Sequence, residues 1–166
     1  MGMFRKFHYL LAMSYLMVLL PLEVAVCDDN GIETISILAD QASEDIQPGI
    51  LHFKGHFSMQ TRDWKLESTL ATVHGKPDKP ASVYLEGSPA RFFIYQDKEA
   101  GTGVVEATAP EMTYHRSTNI LRLSGGALLQ LDDEQVRSKV IEYNVETERY
   151  RAGGADGVLI HVPVKD

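Results

Sequence analysis

The chain is nearly without cysteine. Cys27 is the only one among 166 residues, so no disulfide can form within the chain, and the fold must rest on its core and its hydrogen-bond ladders. Basic residues are outnumbered: sixteen Lys and Arg stand against twenty-three Asp and Glu, for a formal net charge of −7. That balance argues against a nucleic-acid partner, which would need a clustered basic surface. Helical periodicity is almost missing. Constellations for catalysis are missing too. Ser124-Gly125-Gly126 lacks a nucleophile-elbow context, Asp132-Asp133-Glu134 reads as a solvated turn, and Gly153 to Gly157 is expected to be a hairpin loop rather than a phosphate loop. His52 and His56 share one face of a predicted strand but stand about 13 Å apart, too far for one metal ion. His74, His115 and His161 lack the spaced partners of a zinc site. No metal, no cofactor and no enzymatic activity are expected.

What is present begins with a targeting pattern. Arg5 and Lys6 precede a mostly apolar run from Tyr9 to Leu22, and Ala25 and Cys27 take the −3 and −1 places before Asp28-Asp29. This is the layout of a secretory signal peptide over 1–27, followed by one domain over 28–166. The apolar run falls short of the roughly 20 residues of a bilayer span and is broken by Pro21 and Glu23, which disfavours an uncleaved anchor. Val26 stands where a lipid-modified cysteine wants a small residue.

Beyond residue 28, period-two alternation dominates. Ile35-x-Ile37, Leu51-x-Phe53, Val83-x-Leu85, Phe92-x-Ile94, Met112-x-Tyr114, Leu121-x-Leu123 and Val158 to Val162 are such runs. Leu66 and Leu70, and Val136 and Val140, are read as continuing one face. Turn formers separate them at Gln47-Pro48-Gly49, Gly75-Lys76-Pro77, Gly87-Ser88-Pro89, Gly101-Thr102-Gly103, Ser117-Thr118-Asn119, Asp132-Asp133 and Gly153-Gly154. Many short strands with frequent turns indicate an all-β sandwich, jelly roll or open barrel.

The chain also repeats itself. Shifted by 70 positions, 39–73 lies on 109–143 without a gap, with identities at Ile50/Ile120, Leu51/Leu121, Gly55/Gly125, Gln60/Gln130, Asp63/Asp133 and others. A weaker echo at 66 matches Tyr84, Gly87 and Ile94 to Tyr150, Gly153 and Ile160. Two similar hairpins are expected, each with an apolar strand that bends at its glycine.

These pieces, in order, resemble the OstA-like family of periplasmic lipopolysaccharide-transport proteins: Ile35 to Ala42, Gly49-x-x-x-Phe53-x-Gly55, Gln60, Gly87-Ser-Pro89-Ala-Arg-Phe92, Gln96-Asp97, Glu106-Ala107, Met112-x-Tyr114, Leu123-x-Gly125-x-Ala127-x-Leu-Gln130 and Ile141 to Tyr143. The resemblance covers nearly all of the chain after the signal segment. It implies a single twisted, V-shaped open β-jelly roll, acting in the periplasm as one segment of a bridge that carries lipopolysaccharide from the inner to the outer membrane. It implies partners: an inner-membrane LptC-like protein, the periplasmic domain of an outer-membrane LptD-like protein, and further copies joined end to end. Two other readings stay open, namely an inner-membrane-anchored relative of the same pathway and a structural β-module without a ligand.

Parity then nominates an inner face. Ile35, Ile37, Leu51, Phe53, Phe92, Ile94, Met112, Tyr114, Leu121 and Leu123 are the candidates to line a groove for lipid A acyl chains. Arg91 or Arg116 would meet head-group phosphates at its mouth. Trp64 reads as a local packing anchor. The first strand, with Ile32 and Thr34, and the last, with Val158, Ile160 and Val162, would offer free edges for head-to-tail strand addition.

Overall fold

A computed structural model describes residues 34–95 and 104–164. The proposed signal segment, Ile32 and the turn at Gly101 to Gly103 lie outside the described residues. Among the described residues every regular element is a strand: β1 (Ser36–Leu38), β2 (Gln41–Glu44), β3 (Ile50–Gln60), β4 (Trp64–Lys76), β5 (Lys79–Tyr95), β6 (Val104–His115), β7 (Ile120–Leu131), β8 (Glu134–Asn144) and β9 (Arg149–His161). They form one antiparallel sheet in which β3 through β9 pair in sequence order, while β1 and β2 both pair with β3.

The strands are longer than the alternation suggested. Gly87-Ser88-Pro89 and Gly153 to Gly157, expected to be turns, lie inside β5 and β9. Each is a break in register rather than a reversal. Such breaks recur along the meander, between Lys54 and Phe57, Glu67 and Leu70, Glu86 and Ala90, Thr108 and Glu111, Ser124 and Ala127, and Ser138 and Val140. They align into a crease that divides the sheet into two wings. One carries β1, the other β2, and most strands contribute half their length to each. β-Bulges bend strands in this way.

The crease also resets which side chains face inward. In β4, Leu66 is buried on one side of it and Ala71 and Val73 on the other; in β8, Val136 gives way to Ile141 and Tyr143. Leu66 and Leu70 therefore do not share a face, contrary to the alternation: Leu70 is 39% exposed. In β3 and β7 the glycines absorb the bend instead. Gly55 has φ of 71° and Gly125 of 90°, a region that L side chains seldom enter, so inward parity runs on from Phe53 to Phe57 and from Leu123 to Ala127.

This is the 70-residue repeat in three dimensions. The bulge in β3 and the bulge in β7 fall at equivalent positions, and so do the residues that crowd them. A Cβ on Gly55 would meet the Asp40 side chain, and one on Gly125 would meet Pro110 at 3.2 Å. The two hairpins, β3–β4 and β7–β8, turn at Thr61 to Asp63 and at Asp132-Asp133, as expected.

One contact shows that the wings face each other. The Tyr150 hydroxyl donates a hydrogen bond to Glu134 Oε1 at 2.5 Å. Tyr150 pairs with Tyr143 in β8, nine positions along that strand from Glu134. A straight strand would hold those positions about 30 Å apart. The sheet must double over at the crease for the bond to exist.

Candidate lipid groove

Folding the sheet turns one of its faces into an interior. On the β1 wing a register row crosses the whole sheet: Ile37, Met59, Leu66, Phe92, Ala107, Leu129, Val136 and Ile160. On the β2 wing the opposing row is Leu51, Val73, Val83, Tyr114, Leu121, Tyr143 and Tyr150. The middle of the first row is buried and its ends are not; in the second, Val73, Val83, Leu121 and Tyr143 are buried, while Leu51, Tyr114 and Tyr150 are only partly so. Alternation makes one face of every strand apolar; the crease brings the two halves of that face together.

The interior reaches solvent at a cavity of about 360 Å³ between the lips of the wings. Ile35, Trp64, Phe92 and Ile94 line it from the β1 wing, and Val83, Tyr114 and Val145 from the β2 wing. Four of the ten nominated residues, Ile35, Phe92, Ile94 and Tyr114, are thus at the opening. Met112, Leu121 and Leu123 are sealed in the core, Phe53 nearly so, and Ile37 and Leu51 pack against it. Sequence reasoning passed over Val83 and Val145 and took Trp64 for a local anchor. A signal existed for Trp64: it pairs with Ile94 in the adjacent strand, so it shares the face of a residue that parity did nominate.

The polar rim is sparse. Arg116 is the one basic side chain among the cavity's lining residues, where Asp63 and Asp78 also stand. Arg91 lies on the exposed face of β5 and does not reach the opening. Tyr114 donates to Asn119 Oδ1 at 3.3 Å; burial raises its phenol above the ordinary range, with the Arg116 charge pulling the other way. Deeper in, Tyr143 is buried with its hydroxyl unpartnered among the described residues. Burial, helped by the Glu148 charge, pushes that phenol up to about 12. The histidines set aside from metal binding stand beside carboxylates at the β2 segment: His56 Nδ1 is 2.8 Å from Asp40 Oδ2, and His52 Nε2 is 2.9 Å from Asp45 Oδ2.

The edges have one neighbour each among the described residues. β1 and β2 pair only with β3, and β9 only with β8. The first strand, expected over about 32–39, is confined among the described residues to β1 at Ser36–Leu38, and a further strand, β2, follows beyond Asp40. Thr34 precedes β1 and is exposed. Val158 and Ile160 lie in β9, 44% and 49% exposed, and Val162 follows its end at 64%.

A single antiparallel sheet, doubled over into facing wings and apolar between them, defines the class of V-shaped open β-jelly rolls. The comparisons with known proteins agree. A family model described as LptA/(LptD N-terminal domain) LPS transport protein matches residues 36–149, and the chain belongs to that family. It is 28% identical over 144 residues to the lipopolysaccharide export system protein LptA of Escherichia coli K12, covering 86% of this chain and 75% of that protein. The LptA of Shigella flexneri matches to the same extent. The crystal structure of LptH, the LptA homologous periplasmic component of the lipopolysaccharide transport device of Pseudomonas aeruginosa, superposes with a TM-score of 0.70. That match has 18% identity and covers 80% of this chain and 96% of LptH, which shows the shared fold.

Proposed function

We propose that this chain is a periplasmic segment of a lipopolysaccharide bridge, holding the lipid by its acyl chains between the two wings. The observation that carries this reading is the cavity at the lips, where Ile35, Phe92, Ile94 and Tyr114 meet across the groove. Family membership supports it. Burying each methylene there is worth about 0.8 kcal/mol. The cavity lies at the small end of ligand sites, so a lipid with several acyl chains needs the wings to part further. Arg116 is placed to meet a phosphate of the head group.

The remaining assignments follow from the same reading. Residues 1–27 direct export and are removed, leaving 28–166 in the periplasm. The free edge at β1 takes a preceding module, an LptC-like protein or another copy, and the free edge at β9 a following one, another copy or the LptD-like domain. The groove moves lipid without chemical conversion, as expected of a transport protein rather than an enzyme.

Photo-crosslinking tests it. A photoreactive residue at Ile94 should label with lipopolysaccharide, while one at exposed Arg91 should stay blank. Equal labelling at both, or none at either, overturns the groove. N-terminal sequencing of the periplasmic protein should begin at Asp28; an intact Met1 would favour the anchored relative.

A further inference from the structure

The two ends of the groove are not alike. Towards β4 and β5 the lips are Trp64 and Ile94, facing Val83 and Tyr114, and the cavity lies open between them. Towards β8 and β9 the lip row of the β1 wing ends in Leu131 and Glu134. There the Tyr150 hydroxyl, from the opposite wing, closes on Glu134. This bond crosses the mouth of the groove on the last two strands, just inside the free edge. Outside it, on the β1 wing, stands Ile160, the half-exposed end of the apolar row. The carboxylate, then burial, holds the Tyr150 phenol above its ordinary range, so at neutral pH the phenol is protonated and donates.

We propose that Tyr150 and Glu134 are positioning residues that pin the wings together at the β9 end, stopping acyl chains short of that edge until the bond is broken. The inference rests on the lipid-carrying reading above and adds where the lipid stops and which contact releases it. The bond joins a polar pair beside the apolar inner row, whose Leu129 and Val136 are fully buried. A chain sliding along that row from Phe92 to Ile160 must part the packed wings, and at the β9 end it must also break this bond. Hydrogen bonds of a neutral donor to a charged acceptor are among the stronger ones, yet they exchange readily with water. That makes the pair a stop that a docking partner can undo without unfolding the sheet.

The test compares two photo-crosslinking positions in the full chain, loaded with purified lipopolysaccharide: Ile94 at the open cavity and Ile160 beyond the bond. Tyr150→Phe removes the donor and keeps the ring, and Glu134→Met removes the acceptor and keeps the length. Either change should raise the lipid adduct at Ile160 at least threefold and leave the Ile94 adduct within a factor of two. A merely structural role would move both positions together, and that result overturns the proposal. So does an Ile160 adduct unchanged in both variants while Ile94 labels normally. If Ile94 fails to label in the parent protein, the groove reading itself falls, and the stop falls with it.

Discussion

Tyr143 places a hydroxyl in the core with no partner among the described residues. An unsatisfied buried polar group costs about 1–3 kcal/mol, so Tyr143→Phe is expected to raise stability by about 1 kcal/mol, read as a shift in the urea midpoint. The same residue sets a pH dependence. An unfolded tyrosine titrates near 10, and in the fold Tyr143 does so at about 12. Below the unfolded value both states hold the proton. Above it the unfolded chain ionises first, so stability should decline as pH rises from about 10 towards 12. In Tyr143→Phe that decline should be shallower over the same window. Gly55 makes the opposite case. Its φ of 71° strains any Cβ, and one placed there would also have to displace the Asp40 side chain. Gly55→Ala is expected to cost about 1–2 kcal/mol from the left-handed backbone alone, measured by denaturant unfolding.

At the scale of elements, the strands show how far local sequence reaches. The 70-residue repeat was legible because it records one hairpin used twice, with Gly55 and Gly125 at the same bend. The turns at Thr61 to Asp63 and Asp132-Asp133 were legible because short polar segments separate the apolar runs. Gly87 to Pro89 and Gly153 to Gly157 were misread as reversals. Their composition is that of a turn; what makes the chain bend and carry on rather than reverse is the ladder with β4, β6 and β8, and those partners are remote in sequence. The face of Leu70 was misread for the same reason, since a bulge changes parity without a mark in the alternation. Element edges also carry a prediction. Uncovered strand edges promote pairing with other chains, and inward-pointing charge suppresses it. Ile160→Lys should therefore shift the protein towards monomer in sedimentation analysis, and an unchanged distribution would remove β9 from the proposed end-to-end contact.

At the scale of the molecule, the described strands share one sheet and one core, so unfolding should be a single transition. Leu129, fully buried in the middle of the inner row, is a direct probe: Leu129→Ala should cost about 2–5 kcal/mol, with tryptophan fluorescence and far-ultraviolet circular dichroism moving together. Trp64 is the only tryptophan and stands at the cavity. Titration with lipopolysaccharide should shift its emission to the blue as water leaves the lips. Ile94→Asp should abolish that shift while changing the thermal midpoint by only a few degrees.

Alternation in the sequence by itself determined that the described part of this chain is built of β-strands, that two of its hairpins are copies, and that most strands carry one apolar face. Those are local properties, written in period two and in single glycines. The tertiary structure alone decided where that face bends, which of its residues are sealed and which stand at an opening, and that Tyr150 meets Glu134 across the gap. Each of these depends on two halves of one sheet folding over a common crease, and the distance between residues far apart along a strand is set by that fold rather than by their spacing in the chain.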